Sequence, residues 1–432
     1  MKSHSESGAA RLLAPRTIGA LLAAGTLLVG VSACSADSSE SADGTTVLHV
    51  QGWKGGGSEI ANIDAINEAF SEANPDIELE FEYVPPGDAY SQKIQPQLLA
   101  GDGADVIMTD VTRIPGWSKA GYLMDLSDEE WVSNVDPSVI PSISVDDVVY
   151  SQPMELIPEG LFANTALLEE AGISEVPATW SEFEDALAKL KDAGITPIAY
   201  PNKAGDTGQM SLNGIASTLI YQDTPDWDDK FNAGEASFTE WEDALQQVAA
   251  LQEEGYVDFE RELGTDEWSD GLNDFAAGKY AFWFQGGWMV QAIQKAGLED
   301  FTFNPWPAAA DGELPSVGFI SGTSWSINAN TENAEAAKAY LDFWADAENA
   351  APFLEAEHAV SPWTGAPAAE DEVAATVIDA YTDGRFHLLP RNSWLSAEGN
   401  KTMKSKMQAW MLGQYGSDQE FLADLDEGLR PE

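Results

Sequence analysis

The chain has one cysteine, Cys34, among 432 residues. A single thiol excludes an internal disulfide framework and any zinc site built on paired cysteines. Histidine is nearly as scarce, with four in the chain, and His49, His358 and His387 are far apart, so no histidine metal centre is expected. Basic residues are few: 21 Lys and Arg stand against 73 Asp and Glu, a formal net charge of −52. That charge repels a phosphate backbone and excludes sequence-independent nucleic-acid binding. It makes an anionic membrane surface an equally poor partner for the globular part. Phosphate-cradling loops are missing too. No G-x-x-x-x-G-K-[ST] occurs, and the glycines of residues 52–57 lack the G-x-G-x-x-G spacing. Gly322-Thr323-Ser324-Trp325-Ser326 lacks the last glycine of a nucleophile elbow, and no EF-hand loop is present. No cofactor or metal is expected.

What the chain does have is a large core and many rings. Apolar residues make up 44%, with 15 Trp, 17 Phe and 11 Tyr, which excludes a disordered chain. The length suits about two or three domain-sized units. At the N-terminus, Lys2, Arg11 and Arg16 precede an apolar run over 18–30, too short to span a bilayer comfortably. Val31-Ser32-Ala33-Cys34 follows, and the whole resembles a bacterial lipoprotein signal. The alternative is an ordinary secretory signal with a stray cysteine. On the lipoprotein reading, residues 1–33 are removed and Cys34 carries acyl chains such as palmitate. Those chains hold the protein at the membrane face. The Ser/Ala/Asp/Gly-rich residues 34–45 are then a flexible tether.

Order is predicted from Thr46, with a short strand over 46–50 and a Gly-rich loop after it. Ser58 is a candidate N-cap for a helix carrying Ile60, Ile63, Ile66 and Phe70. Residues 77–83 alternate strictly and read as a strand with one wet face. A helix near 89–99 and a buried strand over 105–110 complete a β-α-β-α-β pattern, the mark of an α/β domain with a mostly parallel sheet. Further along, Thr179 or Ser181 caps a helix to Lys191, and 239–251, 269–277 and 403–412 read as helices. Strands are expected at 196–200, 280–284 and 301–304.

Several segments resemble the extracellular solute-binding proteins of ABC importers, in the family that carries oligosaccharides. Asp105-Val106-Ile107-Met108, followed by residues 114–126 with Ala120-Gly121-Tyr122-Leu123-Met124-Asp125-Leu126, is similar to that family's strand and "A-G-x-L-x-D-L" segment. Gly160-Leu161-Phe162-Ala163-Asn164 resembles its "G-L-x-x-N" crossing into the second lobe. Residues 275–283 and Gly286-Gly287-Trp288 resemble its "F-x-x-G-x-x-A-M…G-x-W" motif, and 318–344 its return element. The resemblance covers nearly all of residues 46–412. It implies a two-lobe α/β fold of the periplasmic-binding-protein kind, with mostly parallel sheets and a hinge that closes on ligand. The first lobe would hold 46–155 and 316–350, and the second 156–315 and 351–432. The partners implied are an oligosaccharide, ABC permease subunits and, through Cys34, the membrane, with the protein acting as a monomer.

A sugar ring offers a C–H face and a rim of hydroxyls, so its site needs flat aromatics with carboxylate, amide or guanidinium partners. The resemblance puts Trp288 at the family's cleft tryptophan, after two glycines that allow close approach. It puts Trp394 near a second stacking position, with Asn392 beside it, and Glu159 at the lobe crossing. Gln209 rests on a positional match. Trp53 and Lys54 follow the first strand, and Asp110 and Arg113 the third, beyond strand ends where α/β sheets hold ligands. Gly322 is a candidate backbone N–H donor. For each aromatic a place in the core stays open, for Asp110 and Arg113 a plain ion pair, and for Lys54 simple solvation. Trp180, Trp241 and Trp344 sit on apolar helical stripes and read as core. Two other functions stay open: the same scaffold binding a cationic solute such as a polyamine, and a secreted glycoside hydrolase. With 73 acidic residues, carboxylate pairs argue for neither.

Overall fold

The computed structural model describes residues 45–56, 62–86, 88–366, 371–390 and 394–430. Cys34, the signal-like segment, Ser58 and Asn392 lie outside the described residues. Strands β1 (Thr46–Gly52), β2 (Ile77–Tyr83) and β3 (Val106–Asp110) alternate with helices, as the periodicity predicts. A small hairpin, β4 (Ser144–Val145) and β5 (Val148–Val149), precedes β6 (Gln152–Pro153). Then come β7 (Leu156–Asn164), β8 (Thr196–Ala199), β9 (Tyr280–Gly286) and β10 (Phe301–Asn304). The last are β11 (Val317–Ser321), β12 (Thr323–Ile327) and β13 (Phe386–Leu388).

The first sheet runs β2-β1-β3-β12-β6. The Ile-Glu alternation of β2 keeps one face wet, which suits an edge, whereas Val106, Ile107 and Met108 of β3 are buried in the middle. The helix Ile63–Ala73 buries Ile63, Ile66 and Phe70. The second sheet runs β13-β11-β7-β9-β8, with β10 also pairing β7. β7 is buried along its whole length because both faces are covered. Leu161 and Ala163 enter one core, while Phe162 packs on Trp283 and Phe303 on the other face.

Two expectations are corrected by the pairing. Both sheets are mixed: β12 runs antiparallel to β3 and β6, and β9, β10 and β11 run antiparallel to β7. A strand that returns across the joint must run against the one that left. The lobe boundary also moves. β11 was expected in the first lobe, yet it pairs with β7 and β13 in the second sheet, so the crossing falls at Gly322. The helix Ala334–Ala345 belongs with the first sheet, where Gln152 Nε2 donates to the Leu341 carbonyl at 2.8 Å. The next helix, Ala347–Glu357, stays there as well, and Asn62 Nδ2 donates to the Pro352 carbonyl at 3.0 Å. The chain thus passes between the sheets at β6–β7 and at β11–β12. A third passage follows Glu357, where Val360 exchanges two backbone bonds with Leu156.

The second lobe also contains a helix that periodicity does not reveal, Asp206–Leu219, buried from Thr207 through Thr218. A helix covered all round has no wet face, so it shows no apolar stripe.

Candidate functional site

The site is built around the joint. Lys54, just beyond β1, is buried, with Nζ 2.8 Å from Glu155 Oε1 and 2.9 Å from Glu357 Oε2. Each partner sits on one of the passages between the lobes. Burial alone would lower the Lys54 pKa, but the two carboxylates outweigh it and hold the pKa above its ordinary value. The Glu357 carboxyl is pushed up to about 7 by burial, against the pull of Lys54 and with Glu155 adding repulsion. Lys54 is therefore neither solvated nor open to a ligand. It is the clasp of the joint. Gly322 is corrected likewise. Its N–H donates to the Glu155 carbonyl at 3.1 Å, and a Cβ there would lie 2.8 Å from Glu155 Oε1. This glycine is needed for close approach and does not offer a donor to a ligand.

The first-lobe wall is self-contained. Asp110 Oδ1 accepts from the backbone N of Thr112 at 2.9 Å and of Arg113 at 3.1 Å, and Oδ2 takes the Arg113 guanidinium. That guanidinium lies 5.2 Å from the Trp53 ring centre and 5.4 Å from that of Tyr90. Trp53 meets Tyr90 edge-on at 4.8 Å and is half-buried. Asp110 and Arg113 thus form the plain ion pair, and its effect is to brace Trp53.

The second-lobe wall is organised around Glu159. Glu159 lies opposite Gly286 on β9 and Gly318 on β11. Paired residues of antiparallel strands project to one face, so Glu159 has a glycine as its cross-strand neighbour on either flank. Trp288 covers one flank: a Cβ on Gly286 would fall 2.2 Å from its ring. The helix Asp206–Leu219 covers the other, since a Cβ on Gly318 would lie 2.9 Å from Ser217 Oγ. Trp288 is half-buried and lies 6.2 Å, tilted by 31°, from Trp268, which is 44% exposed. Gln209 sits in the first turns of the same helix, buried, and no described residue bonds its Nε2.

Trp394 is not a stacking residue. It is buried against Trp227, Phe231, Phe238 and Trp241, and its Nε1 donates to Asp228 Oδ1 at 2.6 Å. A ring enclosed by four others has no free face. Trp241 and Trp344 are core as expected, while Trp180 is half-buried. Farther out, a cavity of about 660 Å³ opens between the sheets' outer loops. It is lined from the first side by Pro115, Lys119, Asp146 and Asp147, and from the second by Asp226 and Asp229.

Sequence reasoning missed Trp268, Tyr90, Asn213 and the two carboxylates of the clasp. Polar residues at i, i+4 and i+8 (Gln209, Asn213, Ser217) were the available signal for the missed helix. Nothing local points to the clasp, because Lys54 and Glu155 are 101 residues apart.

Comparisons with known proteins agree with this geometry. The family model described as bacterial extracellular solute-binding protein matches residues 56–351. The maltodextrin-binding protein MdxE of Bacillus subtilis is 24% identical over 388 residues, 82% of this chain and 82% of its own. The multiple sugar-binding protein of Streptococcus mutans is 23% identical over 292 residues, 66% of this chain and 67% of its own. Among solved structures, the apo form of RafE from Streptococcus pneumoniae has a TM-score of 0.71 at 19% identity, covering 92% of this chain and 99% of its own. RafE in complex with raffinose gives 0.68 at 20% identity, covering 90% of this chain and 99% of its own. The fold is that of the two-lobed binding proteins.

Proposed function

The chain belongs to the bacterial extracellular solute-binding proteins, and on that premise we propose that it captures an oligosaccharide between its lobes and passes it to an ABC permease. The observation that carries this reading is the second-lobe wall: Trp288 laid over Gly286 beside Glu159, with Trp268 extending the ring surface. A C–H sugar face packs on Trp288, and Glu159 accepts from hydroxyls at its rim. Trp53, braced by Arg113, supplies an opposing ring when the lobes close. Closure desolvates these bonds, and no covalent bond of the ligand breaks. The names of the relatives, which bind maltodextrin, multiple sugars and raffinose, support the same ligand class. Acyl chains on Cys34 would keep the domain at the outer membrane face, within reach of the permease.

A cationic solute is the second reading, favoured by the carboxylates of Asp146, Asp147, Asp226 and Asp229 around the outer cavity. Calorimetric titration with raffinose, maltotriose and spermidine separates the two. Saturable heat with a sugar, alongside a change in tryptophan fluorescence, is expected. A response to spermidine alone, lost at high salt, would overturn the sugar reading. Release of the chromophore from a chromogenic glycoside would overturn both. Lipidation is tested by labelling cells with an acyl probe: Cys34→Ser should leave the protein unlabelled and released into the medium.

A further inference from the structure

Three buried asparagines of the second lobe are bonded within the protein, whereas Gln209 and Gln285 each leave Nε2 without a bond to a described residue, and Asn213 leaves both amide atoms so. Asn202 Oδ1 accepts from the Gly208 backbone N at 2.9 Å, Asn164 caps a helix through the Leu167 N–H, and Asn304 binds Thr302 and Thr376. Asn213 is fully buried, yet no described residue bonds its Oδ1 or its Nδ2. An amide that is enclosed and unbonded at both ends is costly, and native proteins retain such groups where something else completes them.

Its surroundings say what that is. Gln209, Asn213 and Ser217 follow one another at i, i+4 and i+8 along the helix Asp206–Leu219. Ser217 is fixed over Gly318, and Gly214, adjacent to Asn213, packs on Phe284, two residues before Gly286 on the same strand face. The turn that carries Asn213 therefore lies over the row Gly286–Glu159–Gly318. Gln209, one turn nearer the helix start, brings a second unbonded amide donor to the same face.

We propose that the Gln209–Asn213 face is an enclosed subsite for a vicinal pair of ligand hydroxyls, with Asn213 as its specificity-determining residue. The proposal rests on the sugar reading above. An amide presents an acceptor and a donor side by side, so it is satisfied by neighbouring groups of which one donates and one accepts. Two adjacent hydroxyls do both. An ammonium group only donates and would leave Nδ2 unbonded. The subsite therefore discriminates against polyamines and against sugars lacking one of the two hydroxyls.

The test is Asn213→Leu in the full chain, with raffinose and maltotriose as probes by calorimetry and the ligand-free melting temperature read in parallel. Affinity for whichever probe the wild type binds should fall about tenfold to a hundredfold. The melting temperature should hold or rise, because the amide has no protein bond to lose. A purely structural asparagine would give the reverse, a lower melting temperature with unchanged affinity, and that result overturns the proposal. If Asn213→Leu does not fold, Asn213→Asp keeps the shape and removes the donor. Affinity unchanged in that variant also overturns it. A wild type that binds neither sugar defeats the preceding reading and this one with it, whereas a wild type that binds while the variants bind equally defeats this one alone.

Discussion

The two walls of the cleft treat their polar groups in opposite ways. On the first, Asp110 is taken up by Thr112 and Arg113, Arg113 lies against two rings, and Lys54 is held between two carboxylates. On the second, Asn213 and Gln209 are buried with amide atoms that no described residue bonds, beside a carboxylate flanked by glycines. The named pairs of the first wall are made within the protein and work as a rigid frame, with Glu155 Oε2 and Glu357 Oε1 the carboxylate oxygens of the clasp that no described residue bonds. On the reading proposed above, the second wall is completed by the ligand, and selectivity belongs there. Apart from Trp53, whose ring is proposed to meet the ligand, substitutions on the first wall and at the joint should mainly change stability, and substitutions on the second mainly affinity.

Lys54→Met gives the largest expected effect. It leaves Glu155 and Glu357 buried together without their cation, and urea denaturation should show a loss of about 3–5 kcal/mol. A loss under 1 kcal/mol would mean that the clasp is hydrated and the frame is not self-contained. Trp288→Ala comes next, on the other wall. It should weaken sugar binding by about 2–3 kcal/mol in calorimetry, on the scale of a stacked anchor, with the unfolding midpoint nearly unmoved. An equal fall in stability would blur the contrast between the walls.

Trp394→Phe should cost about 1.5–3 kcal/mol of stability through the lost bond to Asp228 and leave sugar affinity alone. Weakened binding in that variant would return Trp394 to the site. The last expected effect is a pH slope. The Glu357 carboxyl is raised from 4.5 to about 7 in the folded protein, so the folded state binds the proton more tightly than the unfolded chain. The resulting contribution is fully present below about pH 4.5 and declines as pH rises to about 7. Glu357→Gln cannot lose a proton. Its stability relative to wild type should improve across that window and level off above it. Parallel profiles for the two proteins would show that Glu357 does not titrate there.

Much of the frame is legible in the sequence, for local reasons. The alternation of residues 77–83, the capping box of Thr179 and Glu182, and the apolar stripe at Ile63, Ile66 and Phe70 each act within a few residues. The roles proposed for Trp288 and Glu159 come from family resemblance, since Gly-Gly-Trp and the strand before Asn164 stand in the family's order. The rest is set by distant chain. Trp394 resembles a loop aromatic until Trp227 and Trp241 close over it. The acceptor for the Gly322 N–H is the Glu155 carbonyl, 167 positions earlier in the chain. Asn213 sits in a helix whose polar residues imitate a solvent face although none of that stretch meets solvent.

The interleaving of the two sheets bears on how the chain reaches this state. β3 sits beside β12, and Thr109 bonds Ser326 across a sequence separation of 217. Until β12 emerges, the middle of the first sheet is an open edge of unpaired backbone groups. Neither lobe can be completed by an N-terminal fragment: one cut at 155 lacks β12, and one cut at 315 lacks β11 beside β7. Such contacts close very long loops, which slows folding and leaves a nascent chain without a finished sheet for most of its synthesis. On the export reading proposed above, late closure keeps the chain threadable until it has crossed.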